Sequence, residues 1–265
     1  MKDMLSVKEF SRLSGIENTT LRYWDEIGLF SPAKRDPGNN YRYYTLQQII
    51  TVNFIKVLSR LSIPLKTISN IEGVRDPHNI MDLIEQQERM LDLEMDRLRE
   101  SYSIIHTRLD MIRRGLKADP SVISVLEREE RALIMGPPNQ FEEGEDFIRP
   151  FMRFCQAAKD LRINLSYPIG GLHTCMESFI RNPGQPEHFF SADPTGNIKR
   201  AAGKYMVGFE RNYYGEFGDL PARMAAFAEE NALNCRGPVH ALYLLDEVCI
   251  RDPSQYLVQV VVGVQ

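Results

Sequence analysis

Between residues 78 and 114 the apolar side chains recur with a period of seven. Met81, Glu88, Met95, Tyr102 and Leu109 form one series, and Ile84, Leu91, Leu98, Ile105 and Ile112 a second, three residues out of phase. Two interleaved series of this kind are the a and d positions of a heptad, and Glu88 is the only charged residue among them. The spacing predicts a single long helix whose apolar stripe pairs with a second copy of itself. A helix of that length divides the chain. It predicts three parts: residues 1–75, a connecting helix over 76–118, and a body over 119–265.

Charge separates the ends. Residues 1–75 carry 11 Lys and Arg against 7 Asp and Glu, whereas residues 76–265 carry 21 against 29. A basic end on an acidic body points to a polyanionic partner for the first part alone. No run approaches the ~20 apolar residues of a membrane span, and no apolar leader opens the chain, so a cytoplasmic protein without a membrane partner is expected. Cys155, Cys175, Cys235 and Cys249 form no C-x-x-C pair, which argues against a zinc knuckle and a redox dithiol.

Within the first part, Ser6 and Glu9 have the spacing of a capping box. Val7, Phe10 and Leu13 follow at helical spacing, and Gly15 supplies a left-handed stop. A second helix is expected from Asn18 to Ile27. Two short helices across a tight turn make a helix-turn-helix pattern. Then comes "FSPAKRDPGNNYRYYT", a Pro-Gly-Asn turn between strand-type residues, read as a hairpin. Thr45 and Gln48 suggest another capping box, opening a helix to about Leu61, with a further short helix from Pro64. Residues 21–45 place six aromatic rings (Tyr23, Trp24, Phe30, Tyr41, Tyr43 and Tyr44) among basic side chains. Trp24, Phe30, Tyr43 and Tyr44 are expected to form a small core between helix and hairpin.

Past residue 120 the period changes. "RALIMG" reads as a strand and Phe147, Phe151, Phe154, Ala158 and Leu161 as a helix; "GGLHTCMESF" and "EHFFSA" read as two strands. "GKYMVGFE", then a helix marked by Leu220, Met224 and Phe227, then "VHALYLLDEV" and "YLVQVVVGV" repeat the order. Strand, helix, strand, strand occurs twice, which predicts an α+β domain with a crevice between its halves.

"TLRYWDEIGL" and "YRYYT", at this separation, resemble the DNA-binding domain of MerR-family transcription regulators. The heptad helix resembles that family's antiparallel dimerisation helix, and the last part resembles a GyrI-like effector-binding domain of the multidrug-sensing branch. The fold implied is mixed: a winged helix-turn-helix domain that is otherwise all-α, a long antiparallel coiled-coil helix, and an α+β GyrI-like domain. The resemblance implies a homodimer on double-stranded promoter DNA. There it acts as an activator with RNA polymerase by distorting an overlong promoter spacer. Asn18, Thr19 and Thr20 would face the major groove; Arg22, Tyr23, Tyr41 and Arg42 would hold the backbone. Glu17 departs from the usual Ser or Thr, and as a carboxylate it faces phosphates.

The resemblance also bears on what is sensed. Metal and redox sensors of the family use cysteines around the dimer helix, and residues 70–125 contain none; neither a metal nor a cofactor is expected, and His78 and His106 are read as solvated. Phe147, Phe151, Tyr167, Tyr205, Phe209, Ala241, Tyr243 and Tyr256 are the positions expected to line a pocket for small lipophilic or aromatic effectors, neutral or cationic. Relatives carry a glutamate where Ala241 stands. Period-two alternation would put Ala241, Tyr243, Leu245 and Glu247 on one strand face, with Glu247 some 20 Å from Ala241 at ~3.3 Å per residue. On that reading Glu247 cannot simply replace the missing acid, which is absent or has moved. No catalytic residues are expected; a small-molecule hydrolase, or a DNA-binding protein with a vestigial ligand domain, remain the alternatives.

Overall fold

The structure, a computed structural model, describes residues 4–72, 76–142 and 145–265, without the side chains of residues 71 and 72. The expected boundary at residue 75 lies outside the described residues. The chain forms two compact units, residues 1–98 and 99–265.

The first unit opens with a short strand, β1 (Met4–Ser6), and helix α1 (Val7–Ser14). The capping box forms: Ser6 N donates to Glu9 Oε2 at 2.8 Å, and Glu9 N donates to Ser6 Oγ at 3.3 Å. Gly15, at φ 67°, ends the helix in the left-handed conformation that a side chain disfavours. Val7 and Phe10 are buried, but Leu13 is 52% exposed, because the buried face passes through Ser14 instead.

Helix α2 (Asn18–Glu26) follows, then the wing strands β2 (Lys34–Arg35) and β3 (Arg42–Thr45), and helices α3 (Gln48–Arg60) and α4 (Leu65–Glu72). The three strands form one sheet in the order β1-β3-β2. Asp36 shapes the wing turn, its Oδ1 accepting from the backbone N–H groups of Gly38 and Asn39 at 2.9 and 3.2 Å. The Thr45–Gln48 box is half made: Gln48 Oε1 accepts from Thr45 N at 2.9 Å, while Gln47, not Thr45, precedes the first turn.

The core of this unit stacks three rings. Tyr44 lies 4.5 Å from Phe10 and 5.6 Å from Phe30 between centroids, and Trp24 meets Phe30 edge-on. Phe30 precedes the wing strands rather than joining them. Tyr43 departs from the expected core: alternation along β3 turns it to the opposite face from Tyr44, where it is half-buried against Tyr41 at 5.6 Å.

Helix α5 runs unbroken over Pro77–Lys117, roughly 60 Å at ~1.5 Å per residue. Its two heptad series are exposed, Leu91 at 46% and Leu98 at 61%, apart from Ile112, which is half-buried.

The second unit is built on an eight-stranded antiparallel sheet. Its elements are β4 (Ser124–Arg128), β5 (Arg131–Pro138), α6 (Ile148–Ala158), β6 (Ile169–His173), α7 (Met176–Arg181), β7 (His188–Ser191), β8 (Ile198–Arg200), β9 (Gly203–Arg211), α8 (Leu220–Glu230), β10 (Cys235–Leu245) and β11 (Leu257–Val264). The strand order is β4-β9-β11-β10-β6-β7-β5-β8. The expected repeat is present as β5-α6-β6-β7 and β9-α8-β10-β11, and the order places β10 beside β6, so the halves meet there around an approximate two-fold axis.

One expected strand is shorter than predicted: after His173 the chain turns into α7 rather than continuing through "TCMESF". Alternation decides the two faces of the sheet. Val239, Ala241 and Tyr243 of β10 and Val258, Val260 and Val262 of β11 join a core with Phe179, Leu220 and Met224 under α7 and α8. Leu242 and Leu244 turn to the other face and pack on Met111 of α5. Gly115 permits that approach: a Cβ there would stand 2.7 Å from Leu245 Cγ.

Candidate functional site

Two sites must be built, one in each unit. In the first, α2 carries Asn18 and Thr19 exposed in its opening turn and Thr20 half-buried; Arg22 is exposed and Tyr23 is 50% exposed. Glu17, which precedes the helix, makes no side-chain cap but accepts from Thr19 Oγ1 at 3.4 Å. On the wing, Tyr41 is exposed, and Lys34 and Arg35 add cations the sequence reading passed over.

The wing is tied to α2 by one acid. Asp25, its side chain 1% exposed, accepts from Arg35 Nη2 at 2.7 and 2.6 Å and from Arg42 Nε at 2.7 Å. Arg42 therefore ties the wing to α2 through its Nε. A carboxylate bound by two guanidiniums fixes geometry well, since each hydrogen bond is charge-assisted.

In the second unit a cavity of 350 Å³ lies over the junction of β6 and β10. Its floor is made of small residues: Gly171 and Ala241 are register partners across that junction. One wall comes from α6 and the residue before it, where Phe147 and Phe151 stack at 5.9 Å and Phe189 stands edge-on to both. The opposite wall comes from the loop after β9, which brings in Tyr214 and Phe217, and from Tyr243 of β10. Tyr214 lies 6.2 Å from Phe147, 4.5 Å from Tyr243 and 5.0 Å from Tyr256.

Polar groups in the cavity wall are largely committed. Tyr243 donates its hydroxyl hydrogen to Tyr213 O at 3.0 Å and accepts from Gly215 N at 2.9 Å, so its ring, not its hydroxyl, faces a ligand. Burial raises its pKa well above the usual phenol value. His173, fully buried in the wall, has its pKa lowered by burial, against the opposing pull of Glu187 at 3.5 Å. It presents a neutral imidazole.

Two acids reach this cavity, Asp246 and Glu247. The buried Asp246 accepts from Arg108 Nη1 at 2.8 Å. Glu247 is exposed and accepts a hydrogen bond from the Tyr214 hydroxyl, whose pKa is raised first by burial and then by that bond. This corrects the expected 20 Å separation from Ala241. The register shifts between Tyr243 and Leu245, the strand ends at Leu245, and the chain then turns, with Asp246 O accepting from Ile250 N at 2.8 Å. Glu247 is thus folded back to the same cavity.

With both geometries in view, comparison with known proteins is specific. The family of MerR HTH regulatory proteins matches residues 5–72. Residues 5–72 are thus a MerR-type helix-turn-helix domain. Over 255 residues it is 25% identical to the multidrug-efflux transporter 2 regulator of Bacillus subtilis, covering 94% of this chain and 92% of the relative. It is 28% identical over 158 residues to the multidrug-efflux transporter 1 regulator of the same organism, covering 56% and 55%. The chain also aligns with the regulator in a cryo-EM structure of an EcmrR–DNA complex, at 16% identity over 98% of this chain and 99% of that one, with a TM-score of 0.40.

The eight residues named from sequence as pocket lining separate cleanly. Phe147, Phe151, Tyr167, Ala241 and Tyr243 line the cavity. Tyr256 stands behind Tyr214 in the adjoining core. Tyr205 and Phe209 do not join them: with Val207 they occupy the opposite face of β9, because alternation gives the cavity side to Met206 and Gly208. Tyr214, Phe189, Asp246 and Glu247 line the cavity as well. Among the described residues no group of three or more His, Cys, Asp or Glu could hold a metal ion, and no helix is long and apolar enough to cross a membrane.

Proposed function

We propose that the chain is a ligand-responsive transcription regulator whose effector is a small aromatic cation or its lipophilic relatives. The single observation that carries this is a ring-lined cavity with an exposed carboxylate at its wall, in the same chain as a MerR-family DNA-binding domain. Aromatic faces attract organic cations through their quadrupoles, and a nearby carboxylate adds Coulomb attraction. The named relatives regulate multidrug-efflux transporters, which is the setting such an effector would have here.

The working parts follow the sequence reading. Residues 1–75 bind promoter DNA, 76–118 pair two chains, and 119–265 bind the effector. Arg22, Tyr23 and Tyr41 contact the phosphate backbone, Asn18, Thr19 and Thr20 face the groove, and Arg42 acts by fixing the wing. A homodimer offers two such surfaces to a two-fold symmetric operator. The protein acts in the cytoplasm, where it meets DNA and RNA polymerase, and it distorts the promoter rather than blocking it.

Binding is favoured over turnover by what lines the cavity: rings, small residues and acids already hydrogen-bonded, with no serine, threonine or cysteine among the described lining residues. The test is transcription in vitro from a two-fold symmetric operator promoter with and without phenyltrimethylammonium. Activation that vanishes in Arg22→Ala is expected. A chain that binds the cation but leaves transcription unchanged would remove the regulatory reading, and hydrolysis of an ester probe in the cavity would revive the enzymatic one.

A further inference from the structure

The face of the sheet turned away from the effector cavity holds a second cluster that the proposed regulation does not use. β4 and β5 stand near opposite ends of the strand order yet are joined by only residues 129 and 130, so the sheet curls until its edges approach. Arg128 ends β4, Arg131 begins β5, Arg200 ends β8, and Arg114 enters from α5. The acid placed among them is Asp110, one oxygen of which lies 3.0 Å from Arg114 Nε and 3.4 Å from Arg131 Nη2. Arg200 lies over the Tyr205 ring at 5.0 Å, which gives it a π-face but no counter-charge.

Several donors here point at nothing. Arg114 Nη2, Arg200 Nε and Gln259 Nε2 are buried donors without a hydrogen-bond partner, His240 Nδ1 is a buried ring nitrogen without one, and the whole residues His240 and Gln259 are 6% and 5% exposed. The Gln259 orientation is fixed, because Arg114 Nη1 donates to its Oε1 at 2.9 Å and a guanidinium can only donate; the amide NH₂ is therefore the free end. Buried donors left unmet, beside cations outnumbering their acid, are costly unless an anion completes them.

The space fits that requirement. A 20 Å³ void lies among Arg114, Arg131, Arg200, His240 and Gln259, about the volume of one small atom group. A recess of 340 Å³ shares Arg114 and Gln259 with it and adds the cations Lys117 and Arg128, the apolar Leu126 and Phe209, and one acid, Asp119, whose Oδ1 accepts from Ser121 N and Oγ. One oxygen of an anion would occupy the void while an organic body lies in the recess. We infer that this cluster is a second ligand site, for a compact dianion of the phosphate-monoester class, separate from the effector cavity. Phosphate suits it because guanidinium forks match its oxygens pairwise and two negative charges offset more of the cluster than one. Burial and the neighbouring arginines are consistent with this need: burial first, then Arg131 and Arg128, pull Arg114 down to about 10 against the opposing pull of Asp110.

The test is calorimetric titration of the full chain, in buffer free of phosphate and sulfate, with phenyl phosphate and with benzoate. Phenyl phosphate should bind at least tenfold more tightly than benzoate. Arg131→Gln and Arg200→Gln should each weaken it by tenfold or more, while Tyr214→Ala, on the other face, should change it less than twofold. Melting without added phosphate supplies a readout that a structural cluster would move the other way. Arg200→Gln removes a repelling cation, so it should melt no lower than the parent and gain less from phenyl phosphate. No heat from phenyl phosphate at millimolar concentration overturns the site, as does binding unchanged from the parent in both arginine variants, or an Arg200→Gln protein that melts lower but binds unchanged. Should Arg200→Gln fail to fold, Arg131, its side chain 34% exposed, decides alone.

Discussion

Glu247→Gln isolates charge from shape at the effector cavity. Glutamine keeps an acceptor for the Tyr214 hydroxyl, which in the structure donates to Glu247 Oε2, so the wall should stay in place while its negative charge disappears. A cation about 4 Å from a carboxylate gains about 4 kcal/mol at an effective dielectric near 20 and about 1 kcal/mol in bulk water. Glu247 is exposed, so the lower part of that range applies, about 1–2 kcal/mol, or roughly five- to thirty-fold in affinity. Phenyltrimethylammonium and tert-butylbenzene share a shape and differ in charge. Calorimetry should show the parent chain preferring the cation by that factor, and Glu247→Gln should lose the preference while holding the neutral ligand within twofold. The reasoning is refuted if both ligands weaken equally, which would make Glu247 a packing residue, or if the cation preference survives and therefore comes from rings alone.

Three further outcomes are expected. Asp25→Asn removes the acid that holds Arg35 and Arg42; allowing for the 44% exposure of Arg35, unfolding stability should fall by about 2–3 kcal/mol in thermal melts, with operator affinity falling too as the wing loosens. Leu98→Lys should leave the monomer fold intact, since Leu98 is 61% exposed, yet abolish dimerisation by sedimentation and specific DNA binding together. His240 is held neutral, burial and then Arg200 pushing its pKa down to about 4; the unfolded chain takes up that proton near 6.5, so stability should fall from pH 6.5 toward 4, by about 1.4 kcal/mol per unit at most, and level below. His240→Phe should flatten that window in pH-resolved denaturant unfolding.

Where the sequence was legible, the physics is periodic. The seven-residue series of α5 and the alternation along β10 and β11 each run over many residues, and the structure has an unbroken helix over the first and two alternating faces along the second. The capping box of Ser6 and Glu9 is as plain, because it needs only four residues. What the letters hide lies where periods break. α7 begins directly after a strand without a side-chain cap, and its Met176 and Phe179 read equally well as strand or helix. Tyr214 sits in the loop between β9 and α8, where no period applies. Glu247 was misplaced because alternation was carried past Leu245, although the Arg251-Asp252-Pro253 run was a signal that the strand had ended. Arg42 shows a different limit: its charge suggested DNA, but its partner Asp25 is 17 residues away, and only the fold brings them together.

The position of the acid also decides how a ligand should lie. Gly171 and Ala241 face each other across the junction of β6 and β10, so the cavity floor is the part of the domain where both halves contribute almost no side chain. An acid at Ala241 would occupy that floor; with alanine there and Glu247 beyond the end of β10, the charged contact moves to one side and the floor is left apolar. The ligand should then set its cationic end toward Glu247 and Tyr214 and its apolar end over Gly171 and Ala241. Ala241→Leu adds bulk only at the floor, where an inserted side chain typically costs about 1–3 kcal/mol if its neighbours cannot yield. It should therefore weaken the cation and its neutral isostere by the same factor, tenfold or so, leaving their ratio untouched, whereas Glu247→Gln changes the ratio alone. The two substitutions should also be additive for the cation, because they act on opposite ends of it. Calorimetry on both single variants and the double variant measures this directly. A ratio that shifts in Ala241→Leu would place the charge at the floor after all, and the orientation would have to be reversed.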